Sequence, residues 1–140
     1  MPLSLVLLPV FVQIALTFFI AFWMGRARLG AIRRGEVRLA DVTAGTALWP
    51  AKSTQIANSF RNQFELPLLF YAVVTLAVVT NKTDLFFVLL SYAFVASRLV
   101  HAFIHTGSNV LKQRFQAFIV GLFILMGMWA LFAARILLGF

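Results

Sequence analysis

The chain has 140 residues, of which 62% are hydrophobic and 11% charged, with 16 phenylalanines. A soluble domain of that length cannot bury so much apolar surface, so the surplus must face lipid. The formal charge of +8 sits mostly in a connection between hydrophobic segments, which favours membrane orientation and anionic head groups over nucleic acid.

There is no cysteine, which excludes disulfides, thiolate metal sites and a cysteine nucleophile. The length leaves room for one bundle, a single domain over residues 1–140. The N-terminus lacks a basic n-region and a clear cleavage site, so its apolar run reads as a retained anchor helix.

Segment one is expected from about Leu3 to Met24, with Gln13 as its only strongly polar side chain. It runs into GRARLGAIRRGEVR, which carries Arg26, Arg28, Arg33, Arg34 and Arg38 against Glu36. The positive-inside rule makes that end cytoplasmic and the N-terminus non-cytoplasmic. Residues from about Gly35 to Thr54 read as a solvated connection, with Trp49 as an interfacial anchor.

Segment two is expected from about Gln55 to Thr80 and enters through a polar stretch, NSFRNQFELP. On a helix Asn58, Arg61, Asn62 and Glu65 fall at i, i+3, i+4 and i+7, so they share one face. The apolar run after them is too short to span unless part of the polar stretch is also inside. Pro67 is tolerated in a spanning helix and is positioned to bend it just above Glu65. Asn81 to Asp84 read as an outer turn.

Segment three follows from about Leu85 to Thr106 and is broken by the glycine of GSN at 107–109. It carries Arg98, His101, His105 and Asn109 within a narrow arc, and Ser91 continues the line outward. Segment four runs from about Phe115 to Leu138 and returns the C-terminus to the side of the N-terminus. The fold class is an all-α integral membrane protein, a bundle of four transmembrane helices with the basic loops cytoplasmic.

Depth links the two polar faces. At about 1.5 Å per residue, Glu65 lies roughly 3 Å and Arg98 roughly 4 Å to the cytoplasmic side of their segment midpoints. An isolated charge there costs about 2.5–3.5 kcal/mol on insertion scales, so the two should be paired or bridged in one polar cavity, and a Glu65–Arg98 contact is expected, within one chain or between subunits. The competing structural account is an Arg61–Glu65 ion pair along one helix. His101 and His105 could chelate a metal only with carboxylates and water, so the expected metal set is none. Hydrogen bonding to a polar ligand suits them better. Arg114 and Lys112 fit either interfacial anchoring or a cation at the mouth of a cavity.

With these residues in view, the chain resembles the MAPEG family, the membrane-associated proteins of eicosanoid and glutathione metabolism. RNQFELP (61–67) is similar to the family's R-N-x-x-E pattern on its second helix. RLVHAFIH (98–105), followed by Arg114, is similar to its third-helix R-x-x-H/Y-x-x-x-Y motif and the arginine after it. His105 stands where the family tyrosine is common, and Phe115 where some members carry serine.

The resemblance implies a homotrimer holding glutathione, as co-substrate, between neighbouring subunits near the cytoplasmic side. It implies ligand contacts at Arg28, Arg61, Asn62, Glu65, Arg98, His101 and His105. It implies thiolate stabilisation by Arg114, with Lys112 as the alternative. The implied activity is that of a membrane transferase or peroxidase acting on lipophilic electrophiles or lipid hydroperoxides. The alternatives are a non-catalytic lipid-binding or scaffold protein of the same fold and, more remotely, a small proton-conducting subunit.

Overall fold

A bilayer's hydrocarbon core of about 30 Å takes roughly 20 helical residues at about 1.5 Å each. In a computed structural model describing residues 1–140, four stretches meet that length and are apolar enough to cross: Leu3–Arg33, Ala51–Val79, Leu85–Thr106 and Leu111–Leu138. The chain is an all-α, multi-pass membrane bundle. Its helices are α1 (Leu3–Arg33), α2 (Leu39–Ala44), α3 (Ala51–Asn62), α4 (Leu66–Val79), α5 (Leu85–Thr106) and α6 (Leu111–Leu138).

α1 runs nine residues past its expected end at Met24, to Arg33. At about 1.5 Å per residue its 31 residues extend about 46 Å. The surplus over the hydrocarbon thickness carries Arg26, Arg28 and Arg33 beyond it. Nothing in GRARLGAIR forbids the helix, and basic residues suit its C-terminal dipole. It stops at Gly35, whose φ of +74° allows a Schellman closure. There Glu36 N donates to Ala31 O and Gly35 N to Ile32 O, each at 3.0 Å.

The connection that follows is more ordered than a solvated linker. It contains the short α2, and α3 begins at Ala51, four residues before the expected Gln55. Trp49 packs under the Arg28 guanidinium, 5.1 Å from ring centroid to Cζ. Trp49 thus anchors the connection to α1 as well as to the interface.

The second crossing is two helices. Between α3 and α4, Gln63 N, Phe64 N and Glu65 N donate to the carbonyls three residues earlier, at 3.0–3.2 Å, which tightens and ends the α-helix. Pro67 sits in the first turn of α4, where its missing N–H costs nothing. In a continuous helix its ring would clash with the Gln63 carbonyl. The expected bend at Pro67 is therefore a full break at residues 63–65.

Two apolar clusters hold the bundle. The larger joins Val6 of α1, Phe70, Val73, Val74 and Ala77 of α4, and residues of α5 and α6 such as Phe94 and Leu125. Phe70 and Phe94 stack with centroids 4.7 Å apart. The smaller joins Ile20 of α1, Ile56 of α3 and Ala102 of α5.

Cross-contacts fix which ends lie together. Tyr92 Oη donates to Leu5 O at 3.0 Å, and Arg135 Nη1 to Lys82 O at 3.2 Å. Both termini and the 80–84 turn therefore share one end. At the opposite, basic end, Gln55 Nε2 donates to His105 O at 3.1 Å, and Lys52 Nζ donates to Thr106 O.

Candidate functional site

Near the basic end, α3, α5 and α6 line an open cavity of about 390 Å³. α3 and the break contribute Asn58, Arg61, Asn62 and Glu65. α5 contributes His101 and His105, and α6 contributes Leu111, Arg114, Phe115 and Phe118. Two guanidiniums and one carboxylate line this space, so the unliganded lining is net cationic. The polar stripe of α3 survives the break because Glu65, just past the helix end, stays beside Asn62: Nδ2 donates to Glu65 Oε1 at 3.4 Å.

Six of the expected site residues line this one space: Arg61, Asn62, Glu65, His101, His105 and Arg114. Arg98 does not. It is 1% exposed, behind the cavity wall, and its Nη2 donates to the side-chain and main-chain oxygens of Asn62. The helix break makes that possible, because it turns the Asn62 carbonyl away from an α-helical donor.

Within the chain Glu65 and Arg98 are bridged rather than directly paired, by a chain of two hydrogen bonds with Asn62 in the middle. The chain's ion pairs lie elsewhere: Arg34–Glu36, Arg38–Asp41 and Arg135–Asp84. The alternative Arg61–Glu65 pair is also absent, because Glu65 has left the helix on which i, i+4 spacing would align it. Arg98 Nε and Nη1 remain buried without protein partners, as do the Nδ1 atoms of His101 and His105.

The two imidazoles meet edge to face, with centroids 5.6 Å apart, and His101 also lies 6.2 Å from the Phe118 ring. No group of three His, Asp or Glu side chains is close enough to hold a metal ion. Arg114 is oriented by Asn109, whose Oδ1 accepts from Nη1 at 2.8 Å. Asn109 has a φ of +52°, a left-handed conformation that asparagine tolerates better than most residues. Lys112 is exposed and outside the lining.

Arg28 lies outside this chain's cavity, on α1 against Trp49, in a separate apolar groove lined also by Phe18 and Val42. Two contributors escaped the sequence reading. Gln63 faces away from the cavity and accepts at Oε1 from Gln13 Nε2 at 2.8 Å, with both residues buried. The lone glutamine of segment one was the available signal. Phe118 supplies an apolar wall, and among so many phenylalanines nothing marked it out.

The model of the MAPEG family matches residues 6–134 of the chain. No curated protein and no solved structure matched it.

Proposed function

The chain belongs to the MAPEG family, and on that premise we propose that it is a glutathione-dependent membrane transferase or peroxidase acting on lipophilic electrophiles or lipid hydroperoxides. The observation that carries this reading is the cavity lined by Arg61, Arg114 and Glu65. Glutathione bears two carboxylates, one amino group and a thiol. Arg61 suits a carboxylate, which guanidinium grips bidentately, and Glu65 suits the amino group. The cavity's volume falls in the ordinary range for small-ligand sites.

Each residue then has a physical task. Arg114, held by Asn109, places a fixed positive charge where a thiolate would develop, opposing a thiol pKa ordinarily near 8.5. Asn62 ties Glu65 to the buried Arg98, so the carboxylate is positioned by a charge that does not itself touch the ligand. The unpartnered Nδ1 atoms of His101 and His105 leave hydrogen-bonding capacity for the peptide. Phe115 and Phe118 form the apolar side from which a lipid-soluble second substrate would approach.

We further propose a homotrimer with the basic end cytoplasmic, following the positive-inside rule. Arg28, distant from its own chain's cavity and with Nε unpartnered, is then available to the ligand held by a neighbouring subunit.

Titration of detergent-purified protein with glutathione, following thiolate absorbance and then adding an aryl halide, tests this reading. Saturable binding with turnover is expected. Failure to bind overturns the proposal, and binding without turnover of either electrophile or hydroperoxide leaves the non-catalytic reading of the fold.

A further inference from the structure

We propose that the lipid-facing groove around Trp23 is a binding site for one anionic phospholipid. The argument begins with depth. Trp23 lies 20 residues after Leu3, the first residue of α1, a rise of about 30 Å at about 1.5 Å per residue. That equals the hydrocarbon thickness, so with Leu3 at one boundary Trp23 lies at the other, at head-group level, where its amphipathic ring is favoured. Arg26, one turn further along the same face, reaches about 4–5 Å higher.

Two grooves flank the indole. One, of about 530 Å³, is lined by Phe19, Phe22, Trp23 and Arg26, among others. The other, of about 440 Å³, lies between α1 and α5 and shares Phe19 and Trp23, with Lys52 and Phe103 on its far side. Phe22 and Phe103 are 77% and 81% exposed, forming apolar walls that no part of the chain covers. Each groove thus pairs an apolar wall with a cation, Arg26 in one and Lys52 in the other.

The cations are free to act. The Lys52 ammonium lies 5.7 Å from the Trp23 ring centroid and donates to Thr106 O, which leaves further N–H groups for an anion. Arg26 is exposed and makes no hydrogen bond or ion pair within the chain. No carboxylate lines either groove. The grooves share Phe19 and Trp23, so a phosphodiester near these cations, with its acyl chains against Phe19 and Trp23, matches the charge of the site. Arg28 packs on Trp49 in an adjoining groove that shares Phe22 and Arg26 with this site, whereas no residue of the lipid site lines the glutathione cavity.

Native mass spectrometry of the detergent-purified protein, titrated with phosphatidylglycerol and separately with phosphatidylcholine, tests the site. Retention of one phosphatidylglycerol per chain is expected, with phosphatidylcholine at least tenfold weaker. Arg26→Gln with Lys52→Gln should lower phosphatidylglycerol affinity at least tenfold. Arg26→Gln alone should lower it severalfold at unchanged melting temperature, which separates ligand loss from misfolding. Arg33→Gln, also at the basic end but about 15 Å from Trp23 along α1, should leave it unchanged. Equal retention of both lipids, or equal losses in the Arg26 and Arg33 variants, overturns the proposal. So does a change in oligomer mass with lipid retention intact, which would assign the groove to a second copy of the chain.

Discussion

Gln13 and Gln63 meet at 2.8 Å in the interior of the bundle, Gln13 from α1 and Gln63 from the break in the second crossing. Gln63 Nε2 also donates to Ser59 O at 3.0 Å, so the pair closes the end of α3 on the side opposite the cavity. Asn62, the preceding residue, lines the cavity. One dipeptide thus couples a buried structural bond to the polar wall.

Polar side-chain bonds within membrane bundles average about 0.6 kcal/mol and reach about 1.7 kcal/mol in double-mutant cycles. Gln13→Leu leaves the Gln63 carbonyl without its donor and should destabilise the protein by roughly 1–3 kcal/mol. Adding Gln63→Leu should recover part of that loss. Unfolding of the two single variants and the double variant in detergent measures the coupling, and strictly additive losses would deny the pair any energetic role.

Arg98 depends on Asn62 rather than on Glu65, and the two substitutions therefore separate. Asn62→Leu strips a buried guanidinium of its side-chain oxygen partner, leaving it only the main-chain oxygen at 3.4 Å, and should cost about 1.5–3 kcal/mol of stability. Glu65→Gln should change stability by less than about 1 kcal/mol while weakening glutathione binding at least tenfold. Thermal unfolding and equilibrium titration read the two effects, and the reverse order of stabilities would restore a direct Glu65–Arg98 pairing.

Asn109 is a positioning residue for Arg114. Asn109→Gly accepts the left-handed backbone but removes the oxygen that orients the guanidinium, and it should lower kcat about tenfold with little change in KM. Arg114→Ala should lower kcat by roughly 10²-fold, the scale of losing a charge-stabilising donor. A kcat unaffected by Arg114→Ala would remove that arginine from the thiolate role.

Asp84 accepts from Phe87 N at 2.9 Å as the N-cap of α5 and pairs with Arg135. The Arg135 hydrogen bond is the main cause holding its carboxyl below the ordinary 3.8. Because the folded value is depressed, the pair's contribution is complete above the unfolded value and is lost as pH falls through the folded one. Asp84→Asn should therefore lower the melting temperature slightly at neutral pH and match the parent protein in strong acid. The Asp84 side chain is half-exposed, and the pair contributes under about 1 kcal/mol. Asp84→Ala should cost about 1 kcal/mol more at neutral pH through the lost cap. Melting curves from pH 7 to pH 2 check the convergence.

The four crossings were legible because runs of some 20 apolar residues have few other physical outcomes. The helix ends were less so. Arginines past Met24 and prolines at 50 and 67 mark changes of environment, but only the closing hydrogen bonds decide whether the backbone stops. In the site, helical spacing brought Arg61, Asn62, His101 and His105 to their faces. Spacing along one helix does not say how deeply that face is packed. Arg98 shares the arc of His101 but lies one turn nearer the centre, where the break in the facing crossing offers it an oxygen and closes it off from the cavity. The glutamine partnership joins residues 50 apart, a relationship carried by no local pattern.

The break at residues 63–65 divides the second crossing between different supports. α3 rests on α1 and α5 through Ile20, Ile56 and Ala102, whereas α4 belongs to the larger cluster around Phe70 and Phe94. The polar wall of the cavity and the main apolar core are thus carried on separate foundations within a single passage through the bilayer. Three non-helical residues form the joint between them.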